Sequence, residues 1–321
     1  MDIFFYEAFL EEVDALKRHL PPSISVGFTP MTVQESFHTE PPCPLVSIRT
    51  QSLIPISWAG RLSGILTRST GFDHVRRFRQ RSGDAVPAGY LPLYCSRSVA
   101  EHALTLWMGL LRKVPAQIRQ FGRFDRDGLT GSECLGKTLL VVGVGNIGIE
   151  ICRLGCALGM KVLGVDIVER HPDVSYVSIE EGIGRADVIV CAMSLGEGNR
   201  GYFNHGLLRK ARSGAVFVNV ARGELSPHED LLRLVDEGLL GGVALDVYEN
   251  EGELAASLRS GTPAADGRTR ALMELLRRDN VILTPHNAFN TAEALERKAV
   301  QSAAQVQSFL AKGRFVWDVP E

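Results

Sequence analysis

Three side chains in the second half of the chain have the chemistry to grip a carboxylate and move a proton: Arg222 in "NVARGE", Glu251 in "VYENEGE" and His286 in "ILTPHN". A guanidinium presents paired donors that match a carboxylate, and an imidazole exchanges a proton near neutral pH. A carboxylate beside that imidazole favours the imidazolium and keeps its proton available for reduction of a carbonyl. The trio therefore suits hydride exchange between a 2-hydroxy acid and a 2-keto acid. Each member alone has a plainer explanation: Arg222 as a solvated surface group, Glu251 as one acid of an acidic loop, His286 as a satisfied loop histidine. What favours chemistry is their recurrence at strand ends beside a nucleotide site.

Hydride exchange needs a carrier, and "LLVVGVGNIGIEI" from Leu139 offers a place for one. Gly143, Gly145 and Gly148 form GxGxxG between an apolar strand and a helix. The first glycine permits a tight turn, the second admits a pyrophosphate and the third allows close helix packing. The helix opening at Asn146 and Ile147 presents unpaired N–H groups to the phosphates. A merely tight turn would account for the triplet alone. Its context adds Asp166, which ends the next strand, "KVLGVD", 18 residues after Gly148. An acid there accepts from ribose hydroxyls and repels a 2'-phosphate, so NAD is expected over NADP, with nearby Arg170 arguing the other way.

These groups need a sheet to bring them together. Six short apolar runs read as strands: "LLVV" at 139, "KVLGV" at 161, "DVIVC" at 187, "AVFVN" at 215, "GVAL" at 242 and "VILT" at 281. Segments of helical period lie between them. In "SPHEDLLRLVDEG", Ser226 reads as the N-cap, Pro227 as the first helical residue and Glu229 as the close of a capping box, and "SIEE" from Ser178 repeats the signature. Apolar strands separated by helices imply a parallel sheet covered on both faces. The expected fold class is α/β, doubly wound, with a six-stranded Rossmann sheet. Ligands bind beyond the carboxyl ends of such strands, where Asn219, Ala221 and Arg222 follow the fourth, Asp246 and Glu251 the fifth, and His286 the sixth. Pro285 fixes φ and removes a ladder donor, which stops the last strand and aims His286 outward.

The first part of the chain has weaker strands at "DIFFY", "PLVSI" and "GILT" and a helix near Glu7 to His19, the pattern of a second, smaller α/β unit. "SVAEHALTLWMGLLRKV" from Ser98 has helical spacing and a broad apolar face, suited to bridging the units or packing on a second subunit. A final helix from about Ala292 to Lys312 is expected to return to the small unit. The division expected is a substrate domain over 1–97 and 288–321 and a dinucleotide-binding domain over 98–287. "SGTPAADGRTR" at 260 reads as a surface loop.

Composition narrows the partners. The chain has 321 residues, 45% hydrophobic and 22% charged, enough for two domains with a core each. Its net charge of -2 gives no electrostatic case for nucleic acid or an anionic membrane surface. No apolar run approaches the roughly 18 residues that span a bilayer, and the start lacks the cationic residues of a secretory signal, so a cytoplasmic location is expected. The six cysteines form no CxxC pair, which points to buried free thiols and to no metal site.

Taken together, "TRSTGFDHV", "LYCSRSVAEHAL", "RDGLTGSECLGKTLLVVGVGNIG", "VNVARGEL", "GGVALDVYENEGE" and "TPHNAFNTAEAL" resemble the D-isomer-specific 2-hydroxyacid dehydrogenases, above all their NAD-dependent D-lactate type, from about Gly64 to Lys312. The resemblance implies that Arg222 binds the substrate carboxylate and carbonyl, that His286 is the acid/base with Glu251 as its partner, and that Asp246 lies near the nicotinamide carboxamide. It implies further that Thr70, Gly71 and Phe72 receive the substrate carboxylate and that Tyr94 is the tyrosine of the lactate-type members. It also implies a flavodoxin-like substrate domain at both termini and a homodimer built through the helices after Ser98. The chain departs from the family at "SLGEGNRGYFN" from 194 and "ELSP" from 224, and its first 63 residues match nothing specific. D-lactate and pyruvate are the leading pair, with a bulkier 2-keto acid next. The same trio and fold also occur in corepressors that resemble this family, so an NAD-sensing binding module is the alternative. No basic patch or disordered tail favours it.

Overall fold

The computed structural model describes residues 1–196, 198–261 and 266–320. The chain divides into two compact units, Met1–Cys95 with Asn290–Glu321 and Ser96–Phe289.

The unit that holds both termini is built on five parallel strands, β1 (Ile3–Phe5), β2 (Val26–Phe28), β3 (Leu45–Ile48), β4 (Gly64–Thr67) and β5 (Ala88–Gly89), in the order β2-β1-β3-β4-β5. That is the flavodoxin-type order. Every residue of β3 and β4 is buried, as expected for central parallel strands covered on both faces. The first helix, Leu10–His19, starts later than its sequence pattern suggests. Glu7 takes φ +52° and turns its carboxylate onto the backbone N–H groups of Arg49, Gln51 and Ser52. The last helix, Ala292–Lys312, is capped by the Thr291 hydroxyl, which accepts from the Ala294 N–H, and packs on Leu10–His19 and on β4.

The other unit carries a parallel sheet in the order β12-β11-β10-β9-β6-β7-β8. Its strands are β6 (Thr138–Val142), β7 (Lys161–Val165), β8 (Ser175–Tyr176), β9 (Val188–Cys191), β10 (Ala215–Asn219), β11 (Leu240–Leu245) and β12 (Val281–Leu283). The six expected strands are all present, and the two-residue β8 adds a seventh at the edge. The order reverses between β6 and β9, which is the switch point where such sheets take ligands. Leu140, Ile189, Phe217, Leu231, Val243 and Leu275 belong to the core that sheet and helices share. The helix Ser96–Leu111 buries Val99, Ala103, Leu106, Trp107 and Leu110 against the helix Asn146–Ala157 and against β10, β11 and β12. Its apolar face is thus covered inside this unit.

Three local expectations are corrected. Ser226 does not cap the helix His228–Asp236; Pro227 stands at the N-cap, and the Ser226 hydroxyl accepts instead from Asn219 Nδ2. The surface loop read from 260 lies partly outside the described residues, at 262–265, and its end is helical, because Asp266 accepts from the Thr269 N–H and opens the helix Gly267–Leu276. Five cysteines are buried as expected, whereas Cys156 is exposed. Ser178 does cap its helix, accepting from the Glu181 N–H.

Candidate active site

The turn after β6 explains its glycines one at a time. Gly143 sits at φ +93°, and a Cβ there would fall 2.4 Å from the backbone of Met193. A Cβ on Gly148 would lie 2.0 Å from the Gly143 carbonyl oxygen, so this glycine lets the helix Asn146–Ala157 close against the turn. Gly145 is different: its Cβ would meet nothing within 4 Å. Packing does not require a glycine there, but a dinucleotide lying over the helix N-terminus does. The helix carries no side-chain cap, and Asn146 at its start is exposed. Beside the turn, Asp166 accepts from the Val144 N–H at 2.6 Å and from the Val168 N–H at 3.1 Å. The acid is thereby fixed at the end of β7. These residues fit NAD.

Asn219 ends β10 and is fully buried. Its amide donates to the Arg222 carbonyl and to the Ser226 hydroxyl, both at 2.8 Å, and its Oδ1 accepts from the Ala221 N–H at 2.9 Å. The side chain holds the turn that presents Arg222. Gly223 closes that turn, since a Cβ would lie 1.9 Å from the Tyr248 carbonyl carbon. Arg222 itself is half-buried with extended backbone, and its Nη1 donates to the Ala221 carbonyl at 2.7 Å.

The strand that ends at Leu283 delivers the histidine. The Thr284 N–H continues the ladder to the Leu245 carbonyl, and the His286 N–H folds back to the Thr284 carbonyl at 2.9 Å, a three-residue turn over Pro285. His286 takes φ +50°. Its Nδ1 lies 2.7 Å and 2.8 Å from the two carboxylate oxygens of Glu251, the first residue of the helix Glu251–Arg259. Nδ1 is therefore occupied by Glu251, and Nε2 is the nitrogen left to exchange a proton.

Asp246, at the end of β11, is 1% exposed. It accepts from the Thr284 hydroxyl at 2.6 Å and from the N–H groups of Asn287 and Ala288 at 2.8 Å and 2.9 Å. This carboxylate pins the loop on either side of His286. Two helpers escaped the sequence reading. The Tyr248 hydroxyl donates toward the Thr284 carbonyl at 2.7 Å, and burial pushes its phenol far up, so it remains a donor. His102 Nε2 lies 3.1 Å from the Thr284 hydroxyl. A histidine inside an otherwise apolar helix face was the signal that could have found the second.

Thr70, Gly71, Phe72 and Tyr94 all belong to the unit that holds the termini. The Thr70 hydroxyl donates to the Leu91 carbonyl, and the Gly71 carbonyl accepts from the Ser69 hydroxyl. Phe72 begins the helix Asp73–Ser82 and packs edge-on against Tyr90. Tyr94 is buried, which pushes its phenol well up.

With this geometry in place, residues 104–288 match the family model described as "D-isomer specific 2-hydroxyacid dehydrogenase, NAD binding domain". The chain belongs to this family. Among curated relatives, 2-hydroxyacid dehydrogenase A of Aspergillus oryzae is 32% identical, over 79% of this chain and 74% of the relative. A D-lactate dehydrogenase of Streptococcus agalactiae is 28% identical, over 90% of this chain and 89% of the relative. A solved D-lactate dehydrogenase of Aquifex aeolicus, in complex with NAD and lactic acid, superposes with a TM-score of 0.84 at 27% identity, covering 99% of this chain and 100% of that one. This 2-hydroxyacid dehydrogenase is thus an oxidoreductase that uses NAD to interconvert a D-2-hydroxy acid and a 2-keto acid, and the sensor alternative yields to the enzyme. Among the described residues no helix is long and apolar enough to cross a membrane.

Proposed function

We propose that the enzyme reduces pyruvate to D-lactate, and that Arg222, Glu251 and His286 perform the chemistry. The observation that carries this is the clamp of Glu251 on Nδ1 of His286, at 2.7 Å and 2.8 Å, which directs Nε2 to the substrate. NADH, held by Gly143, Gly145, Asn146, Ile147, Gly148 and Asp166, with Asn219, Ala221 and Asp246 placed to its nicotinamide side, supplies the hydride when bound. His286 Nε2 gives its proton to the carbonyl oxygen as charge develops there, and Glu251 stabilises the imidazolium before transfer. Arg222 holds the carboxylate and polarises the carbonyl. Thr70, Gly71 and Phe72 receive the carboxylate, and Tyr94 is the tyrosine of the lactate-type members. Names of relatives support the pyruvate reading, and a bulkier 2-keto acid remains its competitor.

The unit Met1–Cys95 with Asn290–Glu321 is the substrate domain in this proposal, and the enzyme is a cytoplasmic homodimer. Ile118, Phe121, Phe124 and Leu135 are each more than 70% exposed on one chain, an apolar surface that a second copy would cover. The test is NADH oxidation with a panel of 2-keto acids of increasing side-chain size. Pyruvate should give the highest kcat/KM, and a larger acid in that place would overturn the substrate. Arg222→Lys should raise KM and lower kcat together, because a point charge cannot reproduce the bidentate grip. Normal kinetics in a destabilised protein would make Arg222 structural.

A further inference from the structure

Thr284, the residue before the Pro285 turn, has every polar group engaged. Its N–H donates to the Leu245 carbonyl, and its hydroxyl donates to Asp246 at 2.6 Å with His102 Nε2 3.1 Å away. Its carbonyl accepts twice, from the His286 N–H at 2.9 Å and from the Tyr248 hydroxyl at 2.7 Å. The first of these closes a three-residue turn, a ring too tight for a straight hydrogen bond. The second comes from outside the turn and fixes the carbonyl in space.

His286 needs that support. At φ +50° it lies in the left-handed region, which is unfavourable for a residue with a Cβ unless its surroundings over-determine it. Pro285 fixes only its own φ. The direction in which the imidazole meets Glu251 therefore follows from where the Thr284 carbonyl stands, and the Tyr248 hydroxyl grips that carbonyl.

Tyr248 reaches the other reactive turn with its backbone. A Cβ on Gly223 would fall 1.9 Å from the Tyr248 carbonyl carbon and 2.4 Å from its Cα, so the turn that presents Arg222 is seated on this residue. The phenol is kept as a donor. Burial, reinforced by the Asp246 and Glu251 carboxylates, holds its proton on, and that proton points to Thr284 in preference to the Leu245 carbonyl at 3.1 Å. A phenylalanine would fill the same space and grip nothing.

We propose that Tyr248 is a positioning residue for the reaction: its hydroxyl fixes the turn that aims His286, while its backbone seats the turn that presents Arg222. It acts through those two side chains, and the inference rests on their roles in the reaction proposed above.

Tyr248→Phe removes the hydroxyl alone. In keto-acid reduction by the full-length enzyme kcat should fall roughly tenfold, the scale of one lost hydrogen bond, while KM for pyruvate and Kd for NADH stay within about twofold. Because the hydroxyl acts through the Glu251–His286 pair, the same change made in Glu251→Gln should lower kcat by less than about threefold, and full additivity would overturn the coupling. In the protein free of substrate, side-chain resonances of isotope-labelled histidines, assigned with His286→Gln and His205→Gln, should show the His286 ring moving in Tyr248→Phe while His205, which pairs with Glu237, stays. A lower melting temperature with unchanged kcat would make Tyr248 merely structural, and an unmoved His286 ring would overturn the positioning itself. The resonance readout needs no turnover. A parent enzyme that reduced no keto acid would overturn the reaction, and the His286 ring would still decide for or against Tyr248.

Discussion

Glu251 holds Nδ1 of His286 with both carboxylate oxygens, at 2.7 Å and 2.8 Å, across 35 residues of sequence. The contact engages Nδ1 and places a carboxylate beside the ring. Glu251→Gln keeps a hydrogen-bond acceptor but removes the charge. The ring then loses the carboxylate that orients Nδ1 and balances its charge during proton transfer, so kcat for keto-acid reduction should fall while the NADH Kd and the melting temperature hold. An unchanged kcat would reduce Glu251 to a loop acid.

The glycines of the dinucleotide turn should separate folding from binding. Gly145 has φ −82°, open to any residue, and its Cβ would touch nothing, so Gly145→Ala should melt like the parent protein while its Kd for NADH rises. Gly148→Ala would push a methyl to within 2.0 Å of the Gly143 carbonyl oxygen and should cost roughly 1–3 kcal/mol of stability. Thermal melts and NADH titration of the two variants distinguish them. Equal losses of stability would mean that Gly145 is only a turn residue.

What the sequence made legible follows from how locally each feature is encoded. The six longer strands of the sheet announced themselves as continuous apolar runs, and GxGxxG with Asp166 could be placed because the strand, turn and helix are contiguous. β5 and β8 carry two residues each, too few for any period to show, and the three residues of β2 are broken by Gly27, so no apolar run marks it. Ser226 was misassigned because a serine ahead of a proline has the cap signature, whereas its hydroxyl answers Asn219, a partner fixed only by the fold. Asp246 was visible as a strand-end acid, but its hold on Asn287 and Ala288 joins segments 41 and 42 residues apart. No spacing rule reaches that far.

The small unit conceals an ion cluster that the sequence did not disclose. Glu12 accepts from Arg68 Nε at 2.8 Å and faces Lys298 Nζ at 2.6 Å, with all three side chains at most 1% exposed. Burial alone would push the Glu12 carboxyl up, but the Arg68 and Lys298 cations outweigh it and hold it well below the usual carboxylate range. Burial pulls the Lys298 ammonium down to about 7 against the attraction of Glu12. One carboxylate thus serves two cations, and the members are not equivalent. Glu12→Gln leaves both cations buried without their counter-charge and should cost roughly 3–5 kcal/mol, whereas Lys298→Met leaves the Glu12–Arg68 pair intact and should change stability by less than about 1 kcal/mol or raise it. The pH dependence carries the same signature. Between about 7 and the ordinary lysine value of 10.5, the unfolded chain holds a proton at Lys298 that the folded chain has shed, so the stability of the parent relative to Lys298→Met should rise with pH across that window. The comparison cancels the buried thiols, which both proteins share and whose raised values act in the opposite sense above about 9. Urea denaturation of the parent and both variants across this window measures each quantity, and a Lys298→Met loss as large as that of Glu12→Gln would show that the lysine, rather than the carboxylate, anchors the cluster.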